Sequence, residues 1–323
     1  MYELVQEMDR DSMKAIASRA FREMRAAGMT SVGEFHYLHH DKPGDWVFDE
    51  VVLEAASEVG IRIVLLNAYY VSGGLGRPRE PAQRRFDGGT LDSFWNNMDR
   101  LASSMDGCMQ QLGVVGHSIR AVPREALASL HEESRRRGLV FHMHVEEQRA
   151  EIADCMDAYG ATPTGILLDS LQLDDRFTAV HDTHTHRDDM ARYLETGARV
   201  CLCPLTEANL GDGIADVRHI LDCRGRICLG SDSNARISML EEMRLTEYGQ
   251  RLRHEGRGIC RDQNGRVDRV LIDMATMHGA DSLGLNAGRV EPGRLADFTL
   301  VDLEATSLPV SYTHLTLPTT PYV

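Results

Sequence analysis

One pattern repeats along the chain: a stretch with apolar residues at helical spacing, then a short run that is almost wholly apolar. Helical stretches are predicted at 11–27, 47–59, 91–112, 123–138, 147–159, 163–172, 187–196, 215–223, 238–254 and 266–283. Strands are predicted at 30–35, 61–69, 114–122, 139–145, 177–181, 198–205 and 226–232. Gly28, Gly60, Gly113 and Gly138 fall where helices should stop, and Pro123 where one should start. Apolar strands alternating with helices mean a parallel sheet covered on both faces. A closed (β/α)8 barrel needs eight strands, each ahead of its helix. This chain offers seven and opens with a helix, so an open doubly wound sheet also fits the count. No G-x-G-x-x-G follows the early strands, which removes the usual dinucleotide fingerprint.

Composition narrows the function classes. The formal net charge is −14, a poor balance for gripping phosphate backbones, so no nucleic-acid partner is expected. No run reaches the 18 apolar residues of a membrane span, and no secretory signal opens the chain, so no membrane partner is expected. Seven cysteines, an odd number without C-x-x-C, point to reduced thiols and a cytoplasmic setting. Cys201 and Cys203 share a strand face and read as core thiols.

In such sheets function gathers at the carboxyl ends of the strands. Polar residues interrupt the apolar runs there five times: Glu34–His40, Gly116–Arg120, His142–Glu147, His181–His186 and Gly230–Asn234. A lone strand histidine is usually structural, and a lone aspartate after a strand, such as Asp232, is often a helix cap. Five clusters at equivalent positions instead indicate one site. His144, His181 and Asp232 combine imidazoles with a carboxylate, a donor mix suited to zinc or another divalent ion. Glu147 lies about one turn beyond His144, within reach of a water at such an ion for proton transfer.

These residues resemble the amidohydrolase superfamily, in its mononuclear-metal deaminase branch. H-x-x-E at His144–Glu147, His181, Asp232 and the closing GADSLGLNAGRVEPGRLADFTLVD carry the likeness. Within it, TSVGEFHYLHH, GRPREPAQRRF, GHSIRAVP, FHMHVEEQ and GSDSN resemble the formimidoylglutamate deiminases. The resemblance implies an α/β fold: a TIM-like (β/α)8 metal-dependent hydrolase barrel over 1–284 that lacks its first strand. A remnant of a small β-sandwich would follow over 285–308. The uncharged stretch 309–323 reads as a non-native tail.

By the same resemblance, one Zn2+ (or another divalent metal) per subunit is held by His144, Asp232 and two histidines upstream of residue 1. That implies a chain truncated at its start, binding metal weakly and turning over little. The implied reaction is hydrolytic loss of ammonia from N-formimino-L-glutamate, a step of histidine degradation. Asp232 would also accept the water proton, Glu147 would carry a proton to the leaving nitrogen, and His181 would hydrogen-bond the attacking oxygen. Arg120 with His117 would clamp a carboxylate of this small dicarboxylate, and Tyr37 would touch one of its ends. The arginines of loop 73–86 could close over it. A homodimer is implied too. Two other readings stay open: a deaminase for a nucleobase or aminated ring, and an inactive, metal-free fragment.

Overall fold

The computed structural model describes residues 2–302. Seven strands form one sheet in sequential order: β1 (Ser31–His36), β2 (Arg62–Tyr69), β3 (Gln110–Ser118), β4 (Phe141–Val145), β5 (Phe177–His181), β6 (Arg199–Leu202) and β7 (Arg226–Leu229). Every neighbouring pair is parallel. Sequential parallel order with a helical crossover after each strand is a barrel's winding, not that of a doubly wound sheet, whose order reverses part-way. The sheet is a curled half-barrel, with β1 and β7 at its two edges.

The helices are α1 (Tyr2–Glu7), α2 (Arg10–Ala26), α3 (Val47–Val59), α4 (Leu91–Ser104), α5 (Arg124–Arg136), α6 (Arg149–Tyr159), α7 (Pro163–Ser170), α8 (Arg187–Glu195), α9 (Pro204–Leu210), α10 (Val217–Asp222), α11 (Met239–His254), α12 (Val267–Ala275) and α13 (Met277–Ser282). Their starts follow local chemistry. Asp9 and Ser12 cap α2 reciprocally, side chain to backbone in both directions. Thr90 and Thr162 accept N–H bonds at the starts of α4 and α7.

Strand alternation sorts the core. Ile63 and Leu65 of β2 face outward against Phe21, Val51, Ala55 and Val59 of α2 and α3. Val64, Leu66 and Ala68 face the concave side. There the chain's own late segment fills the hollow, with Ala280, Leu283, Leu285 and Ala287 packed against those residues, Val115 and Phe35. Each fully buried valine or leucine here contributes roughly 1.5–3 kcal/mol. His142 is drawn into this filling, since its Nε2–H donates to the Ser282 carbonyl at 2.9 Å.

Several boundaries differ from expectation. α4 stops at Ser104 and β3 starts at Gln110, because a turn at Asp106–Met109 separates them. β6 ends at Leu202, because Pro204 opens α9, a helix not expected from the sequence. The helix expected over 266–283 breaks at Thr276 into α12 and α13. No strand forms within residues 285–302, so the β-sandwich expected from 285 is not seen there. A strand needs a ladder partner, and this segment instead docks by side chains. Arg62 grips Asp297 with Nε–Oδ2 at 2.8 Å and Nη2–Oδ1 at 3.2 Å, and Thr299 Oγ1 donates to the Gly28 carbonyl at 2.6 Å. Residues 303–308 and the expected foreign tail 309–323 lie outside the described residues.

Candidate active site

The strand exits of β3, β4, β5 and β7 bring the expected residues to one end of the sheet. His144 leaves β4 on the concave face. Its Nδ1–H donates to the His117 carbonyl at 3.1 Å, which fixes the tautomer and leaves Nε2 with a free lone pair. Burial, with the neighbouring His117 and His181, holds this imidazole neutral, well below its ordinary titration range. Its ring stacks on His181, with centroids 5.4 Å apart and planes within 12°.

His181 closes β5, fully buried. Its Nδ1 meets Glu207 Oε1 at 3.2 Å and its Nε2 faces Asp232 Oδ2 at 3.7 Å. Burial disfavours its charged form, but Glu207, Glu147 and Asp232 outweigh burial and raise its titration point. Nε2 is buried and has no hydrogen-bond partner. A ligand atom of His181, one of Asp232 and the Cys203 thiol sulfur lie within 4.8 Å of one another. An orphaned buried imidazole nitrogen facing a carboxylate and a thiol is a donor set that a divalent cation fits. Asp232 and His181 thus come together as expected, with His144 stacked alongside.

Glu147 lies beyond β4, its Oε2 accepting from Arg120 Nη2 at 3.2 Å. Arg120, in the turn after β3, is therefore beside the proton carrier rather than apart from it. His117 packs edge-on to Tyr37 at 5.2 Å, Tyr70 at 4.7 Å and His144 at 5.0 Å. Burial, with Arg120 nearby, pushes His117 down to about 3, so it is neutral. Tyr37 also packs against Phe35 and Phe86. The backbone is unusual at these exits: Glu146, His181, Asp182 and Asp232 have φ of 50°, 82°, 47° and 44°, a left-handed region uncommon for residues other than glycine.

The histidines of EFHYLHH do other work. Asp49 of α3 is fully buried, and its Oδ1 accepts from His36 Nε2 at 3.0 Å and His39 Nδ1 at 2.8 Å. Its Oδ2 accepts from Asn67 at 3.0 Å and Asn97 at 2.7 Å. Burial opposes the charge on Asp49, but the two histidines hold its carboxyl well below the usual carboxylate range. His39 Nε2–H donates to the Ala68 carbonyl at 2.8 Å. His40 Nδ1 accepts from the Trp46 N–H at 3.0 Å and Nε2–H donates to the Asp87 carbonyl at 2.9 Å. His36, His39 and Asp49 have a metal-like spacing, but their hydrogen bonds are directed at one another, so the cluster staples the loop after β1 to α3 and β2. In the arginine-rich loop, Arg79 pairs with Asp87, and Arg85 donates to the Gln6 and Met8 carbonyls, both structural uses.

Three residues escaped the sequence reading. Glu207 sits on the unforeseen α9 and folds back to accept the Cys203 N–H at 2.8 Å as well as His181. Proline directly after a strand cysteine was its signal. Cys203 read as core packing. Glu151, in the first turn of α6, accepts the Glu147 N–H at 3.2 Å and is pushed up to about 7, chiefly by burial against the pull of Arg120.

The sequence profile of the amidohydrolase family matches residues 1–321. The chain belongs to the amidohydrolase family. It is 36% identical over 313 residues to the formimidoylglutamate deiminase of Pseudomonas aeruginosa, covering 94% of this chain and 68% of that protein. It is 27% identical over 266 residues to a 5-methylthioadenosine/S-adenosylhomocysteine deaminase of Pyrococcus abyssi, covering 81% of this chain and 59% of that one. The crystal structure of an amidohydrolase from Brucella melitensis superposes with a TM-score of 0.83 at 34% identity, covering 88% of this chain and 64% of that one. An adenosine deaminase from Xanthomonas campestris with bound zinc shares the fold at a TM-score of 0.79 and 19% identity, covering 96% of this chain and 66% of that one. The amidohydrolase chain therefore spans roughly 59–68% of the length of these relatives. No helix among its described residues is long and apolar enough to cross a membrane.

Proposed function

We propose that this amidohydrolase carries the site of a metal-dependent hydrolase that releases ammonia from N-formimino-L-glutamate and leaves N-formyl-L-glutamate. The observation that carries the reading is Arg120 bonded to Glu147 beside His117 and His144. An anion clamp within bonding distance of the proton carrier suits a substrate with a carboxylate close to its amidine. The likeness to the Pseudomonas deiminase supports it.

His144, His181, Asp232 and Cys203 supply the donors that would hold zinc or another divalent ion. When bound, such an ion makes water acidic enough to serve as a nucleophile near neutral pH. Asp232 would take the water's proton. Glu147 would deliver a proton to the departing nitrogen, because ammonia leaves more readily than amide. Arg120 would hold a substrate carboxylate through its fork, with His117 and Tyr37 forming the adjoining wall.

The test is ammonia release from N-formimino-L-glutamate by the zinc-supplemented chain, run beside guanine, cytosine and adenosine. Slow release from the amidine, and none from the bases, is expected of this chain. Turnover of a base alone would favour the second reading, a nucleobase or nucleoside deaminase, which the 27% identity to a 5-methylthioadenosine/S-adenosylhomocysteine deaminase keeps open. Glu147→Gln should abolish release while elemental analysis finds the metal content unchanged.

A further inference from the structure

The Arg120 guanidinium meets two carboxyl groups on different edges. Nη2 donates to Glu147 Oε2 at 3.2 Å. Nε faces Glu151 Oε1 at 3.6 Å, too far for a hydrogen bond. Both of these facing atoms are buried, and neither has a hydrogen-bond partner. Glu151 itself is 2% exposed, and its second oxygen is fixed by the Glu147 N–H at 3.2 Å. A buried donor and a buried acceptor left unpaired face to face are costly, and the cost is relieved when they close on each other. The Arg120 side chain as a whole keeps 33% exposure, so its other edge reaches open space.

We propose that Glu151 is a positioning residue that holds Arg120 through Nε, so that the outer edge of the guanidinium is shared between Glu147 and the carboxylate of an incoming ligand, which releases Glu147 as it takes that edge. This rests on the reading that Arg120 meets a substrate carboxylate. Its consequence is selectivity. Glu147 stays tied to Arg120 until an anion displaces it, so a neutral amidine of similar size finds the proton carrier occupied. Discrimination then arises in the chemical step as well as in binding.

The test is calorimetric titration of the full chain with glutarate, a dicarboxylate without an amidine. It is run at about pH 8, one unit above the value of about 7 to which burial pushes Glu151. Glu151→Gln should weaken glutarate binding by about tenfold, the scale of one charge-assisted hydrogen bond. Glu147→Gln should tighten it, because the competing carboxylate is gone. The two changes each remove one negative charge, so a purely electrostatic role predicts tighter binding for both. Tighter or unchanged binding by Glu151→Gln overturns the proposal. Glu151→Asp keeps the charge on a shorter arm and should fall between Glu151→Gln and the unaltered chain. Circular dichroism reports folding. If Glu151→Gln does not fold, Glu151→Asp and Glu147→Gln decide, and failure of the latter to tighten binding overturns the proposal. Arg120→Met separates this from the parent reading. If glutarate binds that variant as well as the unaltered chain, or binds neither, the anionic-substrate reading fails. If binding needs Arg120 but ignores Glu151, only the positioning role falls.

Discussion

Glu207 accepts the Nδ1 proton of His181 at 3.2 Å, and this bond decides which ring nitrogen faces Asp232. With the proton fixed on Nδ1, Nε2 presents its lone pair to the site. Groups that orient a ligating histidine this way typically govern metal affinity by 10–100-fold. Glu207→Gln should therefore lower zinc affinity by roughly that factor, measured by competition with a chromophoric chelator. Unchanged affinity would remove Glu207 from the site's support.

The Asp49 cluster makes a stability prediction. Asp49→Ala strands four buried donors, on His36, His39, Asn67 and Asn97. Removing one partner from a buried charged network costs about 3–5 kcal/mol. Urea denaturation should show a loss on that scale. A loss below about 1 kcal/mol, the level of an exposed pair, would mean that the cluster is hydrated rather than closed.

Acid sensitivity has a named source in His131. This residue is 3% exposed, between the rings of Phe141 and Phe177 at 5.1 and 5.8 Å. Burial, with Arg135 adding to it, pushes its titration down from 6.5 to about 4. Between those values the unfolded chain binds the extra proton, so stability rises with pH there. His131 costs nothing above pH 6.5, and its penalty grows as pH falls toward 4, reaching about 3 kcal/mol. His131→Leu should flatten that slope in urea midpoints taken from pH 7 to 4. An unaltered slope would assign the acid sensitivity elsewhere.

The filling of the concave face can be tested at Gly33. A Cβ there would lie 2.3 Å from Leu283 Cδ2 and 3.2 Å from Leu66 Cδ1. Gly33→Ala should cost about 1–3 kcal/mol by overpacking. Adding Leu283→Ala should recover part of that loss, a coupling that double-mutant analysis measures. Purely additive losses would show that Leu283, at the end of α13, does not press on β1.

The winding of the sheet was legible because its inner strands are largely buried on both faces and read as apolar runs, as in IRIVLLNAY and FTAVH. His144, Glu147, His181, Asp232, His117 and Arg120 were legible because polar residues in such runs stand out. Glu207 and Glu151 were not, since helical glutamates are ordinarily surface residues and only the fold turns these two inward. The grouping of the EFHYLHH histidines with the other clusters went too far, although Tyr37 of that segment does reach His117. His36 alternates to the outer face of β1 toward Asp49, and pattern alone does not say which face of an edge strand holds the chemistry. The strands expected after residue 285 are not formed over the described residues 285–302 for a related reason, because alternation names a strand but not a partner for it.

The left-handed backbone at Glu146, His181, Asp182 and Asp232 has an evolutionary reading. Side chains in such conformations typically cost of order 1 kcal/mol or more apiece, and the surrounding core offsets it. Heat tolerance and turnover therefore pull His181 and Asp232 in opposite directions. A lineage kept for endurance alone, with no demand for catalysis, should let these two drift to glycine first, and the earliest trace of a lost activity would be written in the backbone of the β5 and β7 exits.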